Sequence, residues 1–182
     1  DTLRFDPTSR FVVFDFAICD ISSGSSCGES SYWSIGVLNV TDNSLEFPFP
    51  SQPSRYDVGF PAFSNQSDNY IVVDLRDNEA DTESKIQSFI GILDRENMSI
   101  TTIANPDGTT AAEGHWGTPS FSTDDSYVTL SFATDSGTIL YAAFLDDYKI
   151  TSADEQYRII NPNYGDRPLT IPAVAINKVP TL

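Results

Sequence analysis

Few residues in this chain are able to do chemistry, and their spacing narrows what they can do. The run "DLRDNEAD" gathers Asp74, Asp77, Asn78, Glu79 and Asp81 into one expected loop. Oxygen ligands at that density suit calcium, so Asp74, Asp77 and Asp81 form a calcium candidate. The spacing is not that of an EF-hand, which alternates its ligands around a central glycine, and the competing reading is a solvated loop between strands. His115, in "AAEGHWGTP", is the sole histidine, so a multi-histidine metal site within this sequence is ruled out. Placed in a loop beside Trp116, it suits a hydrogen bond better than catalysis. "GSSCG" at 24–28 has the letters of a Gly-x-Ser-x-Gly nucleophile elbow. That elbow needs a sharp strand-to-helix turn, and no helix follows this Ser-rich stretch. Covalent haem attachment, a phosphate-binding glycine loop and zinc spacing are all missing from the sequence. No catalytic set emerges, and the sequence predicts a chain that is not itself an enzyme.

The two cysteines, Cys19 and Cys27, flank a Ser/Gly stretch that reads as a flexible loop. A disulfide across it is the expectation and would place the chain outside the cytoplasm; the alternative is a pair of free thiols in a cytosolic loop. Asn-x-Ser/Thr sequons at Asn39, Asn65 and Asn97 agree with the former.

Charge excludes more than it assigns. With 26 acidic against 10 basic residues and a formal net charge of -16, the chain repels phosphate backbones and anionic membranes, so nucleic acid is not an expected partner. No apolar run reaches the roughly 18 residues that span a bilayer. The opening "DTLRFDP" has neither a basic nor an apolar leader region, and reads as a mature chain or a piece of a longer one.

The elements that would position any site come from a repeat. "GTPSFSTDDSYVTLSF" at 117–132 is a strand–turn–strand signature, and "GFPAFSNQSDNYIVVDL" at 59–75 repeats it in the same order. "LRFDPTSRFVVFDF" at 3–16 is a more worn copy. Phe5, Phe63 and Phe121 stand 58 residues apart each time, and a second aromatic recurs as Phe11, Tyr70 and Tyr127. Each copy continues through a polar insertion to an apolar strand ("WSIGVLNV", "FIGILDR", "TILYAAFLDD") and a short fourth strand ("SLEFPF", "SITTIA", "YRIINP"). Only "DTESKIQSFIG" offers a turn or two of helix. The expectation is a single all-β domain over 1–182, with repeats of about 1–58, 59–116 and 117–182, each an antiparallel sheet of four strands. The recurring prolines should lead into each first strand, the phenylalanines should be buried between repeats, and the polar turns should close the hairpins.

These repeats resemble TolB-type β-propeller repeats, on Pro119-Ser120-Phe121-Ser122-Thr123-Asp124-Asp125 and Pro61-Ala62-Phe63-Ser64. "NQSD" and "TDD" replace that family's usual Pro-Asp-Gly turn, and the first copy lacks the entry proline. The resemblance implies a β-propeller-like array of about three blades, a partial or fragment propeller, because rings close with about four to eight. It also implies a non-enzymatic extracytoplasmic module for protein–protein interaction or assembly, with a protein partner or further blades of the same protein against its open faces. The alternative is an accessory propeller of a larger hydrolase whose catalytic domain lies elsewhere. No cofactor is expected apart from the calcium candidate.

Overall fold

A computed structural model describes residues 2–19, 31–49, 56–77, 87–103, 115–134, 137–150 and 157–160. The described residues contain strands and no helix, so none is long and apolar enough to cross a membrane. The strands form three antiparallel sheets in chain order. The first holds β1 (Leu3–Phe5), β2 (Phe11–Cys19), β3 (Ser31–Asn39) and β4 (Leu45–Glu46). The second holds β5 (Tyr56–Phe63), β6 (Tyr70–Asp77), β7 (Gln87–Asp94) and β8 (Ser99–Ile103). The third holds β9 (His115–Phe121), β10 (Tyr127–Thr134), β11 (Gly137–Asp146), β12 (Lys149–Ile150) and β13 (Tyr157–Ile160). In the third sheet β12 and β13 pair with different stretches of β11, so the fourth-strand position is filled in two pieces.

The repeat is regular where the ladders can be compared, except that the second hairpin is one residue longer than the other two. Phe5 pairs with Val12, Phe63 with Ile71 and Phe121 with Val128. One residue further on, the backbone N–H of Asp6, Ser64 and Ser122 donates to the carbonyl of Phe11, Tyr70 and Tyr127, closing the polar turns as the sequence predicts. After each third strand a short turn ends in a left-handed residue: Asn43, Met98 or Tyr148, with φ of 60°, 49° and 60°.

Strand alternation sends successive side chains to opposite faces, which builds two apolar seams. In the first, Val13, Ile35 and Val37 of the first sheet meet Val58, Phe63, Ile71, Val73 and Leu93 of the second. In the second, Ala62, Val72, Ile90 and Ile92 meet Phe121, Val128, Leu130 and Phe132 of the third. Each seam sets a phenylalanine-bearing face against an aliphatic, mostly β-branched face. Burying each such side chain contributes about 1.5–3 kcal/mol, so the seams hold the sheets together.

Several expectations are corrected. Pro61 and Pro119 do not lead into a strand but sit inside β5 and β9, where the register slips against the partner strand. Proline has no N–H for the ladder, and a bulge removes that position from it. The preceding residues, Phe60 and Thr118, both take φ of 48° to make the bulge. Consequently β5 and β9 begin before the glycines that seemed to open the second and third copies, and His115 starts a strand instead of lying in a loop. Of "DTESKIQSFIG", residues 87–91 are strand and the rest lies outside the described residues.

Candidate interaction surface

Phe63 and Phe121 are 6% and 1% exposed, each covered by the sheet before it, whereas Phe5 on the equivalent rung is 58% exposed. The expectation that all three are buried fails at Phe5 for a simple reason: no described sheet precedes the first. Its rung continues through Val12 and Leu38 to Leu45, and the neighbouring rung runs from Leu3 through Phe14 to Gly36. Neither carries a charge, although the chain as a whole is strongly acidic. Leu3 and Leu45 on the two outer strands, and Phe47 just after the second of them, are 65%, 50% and 55% exposed. The rings of Phe14, Phe16 and Phe47 form a chain with centroids 5.9 and 5.7 Å apart. Phe14 lies over Gly36 so closely that an added Cβ would stand 2.7 Å from its ring, so any larger residue there would displace the ring. The result is an uncharged face, bulky along β1 and the segment after β4 and shallower between them.

The covered seams show how such a face is finished. Across the first, Arg95, in the turn between β7 and β8, lies 4.6 Å over the Phe11 ring and 5.8 Å from that of Phe63. Its guanidinium bonds the Glu46 carboxylate and the Asp68 carbonyl, while its buried Nε has no hydrogen-bond partner among the described residues. Across the second, the Asp125 carboxylate accepts from the Ser64 hydroxyl, from the backbone of Asn65 and Gln66 at 2.9 and 3.0 Å, and from the Tyr148 hydroxyl at 3.0 Å. Tyr148 stacks on Tyr70 with centroids 3.7 Å apart and meets Phe121 edge-on. Burial pushes the Tyr148 hydroxyl above the usual tyrosine range, and the Asp125 carboxylate beside it adds to the rise. Asn65 Nδ2 donates to the carbonyls of Ser122 and Phe121, so that sequon asparagine helps to join two sheets.

Of the residues singled out for chemistry, those among the described residues are not gathered into one site. Asp74 and Asp77 lie in β6, three positions apart and therefore on opposite faces, and Asp81 lies outside the described residues. Among the described residues no group of three His, Cys, Asp or Glu side chains is placed to hold a metal ion. Asp74 instead borders a cleft of about 330 Å³ with Asp15, Trp33, Asp57, Phe60 and Arg76. Two of these carboxylates serve the backbone: Asp15 accepts from the N–H of Thr2 and Phe60, and Asp57 from that of Trp33. Cys19 ends β2, and its proposed partner Cys27, like "GSSCG", lies outside the described residues. Sequence reasoning missed Leu3, Leu45, Phe47 and Arg95; the apolar alternation of "SLEFPF" was a signal for two of them.

Comparison with protein-family models and with curated proteins finds no match. The resemblance to propeller repeats therefore rests on the sequence motifs alone.

Proposed function

We propose that this chain is a non-enzymatic interaction or assembly module, a partial β-propeller of TolB-like repeats that works outside the cytoplasm and docks a protein partner on the Phe5 face of its first sheet. One observation carries the reading: Phe5, Phe63 and Phe121 occupy equivalent rungs of three successive sheets, the latter two are covered by a neighbouring sheet, and an uncharged apolar face of this kind on a protein normally marks a contact surface. The propeller arrangement is supported by three meanders of the same order stacked face to face, with β5 touching both β1 and β9. The cysteine pair and the sequons support the location.

The test is binding of an environment-sensitive apolar dye to the isolated chain, compared with Phe5→Asp and Phe47→Asp variants checked for native circular dichroism. The reading expects dye binding that both substitutions remove. A chain that binds no dye, or binds it equally well with Asp at both positions, would overturn it.

A further inference from the structure

We infer that the cleft beside β5 binds an alkylammonium group, of a free amine or of a lysine side chain on another protein, through the Trp33 and Phe60 rings and the carboxylates around them. The cleft lies on the other side of the first sheet from Phe5: Asp15 and Ala17, paired with Ile35 and Trp33, alternate along β2 with Phe14 and Phe16. The inference goes beyond the interaction reading and does not rest on it.

A cleft of about 330 Å³ lined by aromatic rings and a few polar groups has the size and make-up of a small-ligand site. Trp33 and Phe60 are 38% and 44% exposed, so both present surface to a ligand. Each is tied to a carboxylate of the opposite sheet. The Phe60 N–H donates to Asp15 at 3.3 Å, and the Trp33 N–H donates to Asp57 at 2.8 Å. These reciprocal bonds between the first two sheets hold acids and rings in a fixed relation before any ligand arrives. A carboxylate has about four acceptor positions, so one backbone bond does not exhaust Asp57.

The fold itself does not require these groups. Phe60 corresponds to Thr118, which makes the same bulge before proline with the same φ of 48°. The bulge therefore accounts for the backbone of Phe60 and not for its exposed ring. Across the ladder, the pairs Gly59–Asp74 and Asp57–Arg76 correspond to Gly117–Ser131 and His115–Ala133. In the third sheet the Ser131 hydroxyl bonds the Thr118 hydroxyl and the Gly117 carbonyl, so the same edge is satisfied internally.

Charge and geometry select the ligand. Asp15, Asp57 and Asp74 against Arg76 leave the lining negative, in a chain whose net charge of -16 already concentrates cations around it. Among the described residues no three acidic groups close on one metal ion. Carboxylates arriving from β2, β5 and β6 suit a cation that donates in several directions, as an ammonium does with its three N–H bonds and the planar guanidinium fork does not. The two rings add cation–π attraction and cover the alkyl stem.

The experiment titrates the full chain carrying Trp116→Phe, which leaves Trp33 as the sole tryptophan, and follows its emission at low ionic strength. The probes are pentylamine and Nα-acetyl-lysine methylamide, with 1-pentanol and calcium chloride as controls; calorimetry on the unsubstituted chain repeats each titration. The inference expects saturable binding of an amine and none of the alcohol or calcium. Asp57→Asn and Asp74→Asn keep an acceptor oxygen but remove the charge, and each should weaken amine binding about tenfold, the worth of one charge-assisted hydrogen bond. Phe60→Thr, the residue of the third sheet, should weaken it about threefold. Tighter binding of pentylamine assigns the cleft to free amines, and tighter binding of the lysine derivative assigns it to a protein side chain. No saturable response to either amine, an equal response to pentanol or calcium, or amine binding unmoved by both aspartate substitutions overturns the inference and leaves the Phe5 reading standing.

Discussion

Phe5 and Phe63 occupy the same rung of successive sheets, paired with Val12 and Ile71, yet only Phe63 is covered. Their energetic weights should differ accordingly. Phe63→Ala and Phe121→Ala remove buried rings from the two seams and should each cost about 3–5 kcal/mol in urea unfolding of the isolated chain. Phe5→Ala should stay within about 0.5 kcal/mol, as at an ordinary surface position. Equal losses at all three positions would show that Phe5 is covered in solution.

Tyr148 joins the second seam by stacking and by its hydroxyl. Tyr148→Phe keeps the stack on Tyr70 but takes one donor from Asp125, for a loss of about 1 kcal/mol near neutral pH. Burial and Asp125 raise the hydroxyl's pKa above 10.0 in the folded state, so its contribution is complete below the unfolded value and disappears as pH rises through the folded one. Urea midpoints should therefore fall more steeply on alkalinisation in the parent chain than in Tyr148→Phe. Parallel decline in the two would remove this role.

The acid side has the opposite sign. The side-chain hydroxyls of Ser126 and Ser122, with the Ser126 backbone N–H, hold the Asp124 carboxyl down to about 2. A group lowered from 3.8 stabilises the fold above that value and stops doing so as pH falls toward about 2. Asp124→Asn should flatten the loss of stability across that window, measured by thermal unfolding at stepped pH. Because Asp124 is exposed, the change should be small, and an unaltered acid limb would contradict it.

Met98 takes a left-handed φ of 49° while the residue is about half exposed. Met98→Gly removes the Cβ clash of that conformation, offset in part by glycine's greater chain entropy, and should stabilise the chain by about 0.5–1 kcal/mol. A lower unfolding midpoint would mean that the Met98 side chain makes a contact worth more than the strain.

Much of the fold was legible in the sequence because it is periodic. The 58-residue spacing of Phe5, Phe63 and Phe121 and the polar turns after them mark the repeats, and alternation of apolar residues marks the strands. What was not legible depends on a second strand or a second sheet. Pro61 and Pro119 read as entries because a bulge shows itself only in the register against β6 and β10. Phe5 read as buried because a residue's rung is local whereas its cover is not. Arg95 is one cation in a turn until Phe11, Phe63 and Glu46 are brought around it. Asp74 and Asp77 are the contrary case: "VDLR" at 73–76 already alternates, and reading the stretch through Asp77 as strand separates the two carboxylates.

The most direct measurement of the central claim is fluorine NMR of the chain labelled with fluorophenylalanine, each resonance assigned by substitution, in the presence of a soluble paramagnetic agent. The account predicts strong broadening of Phe5 and Phe47, with Phe63 and Phe121 left sharp. Protection of Phe5 equal to that of Phe63 and Phe121 would contradict it, for the face assigned to the partner would then already be covered.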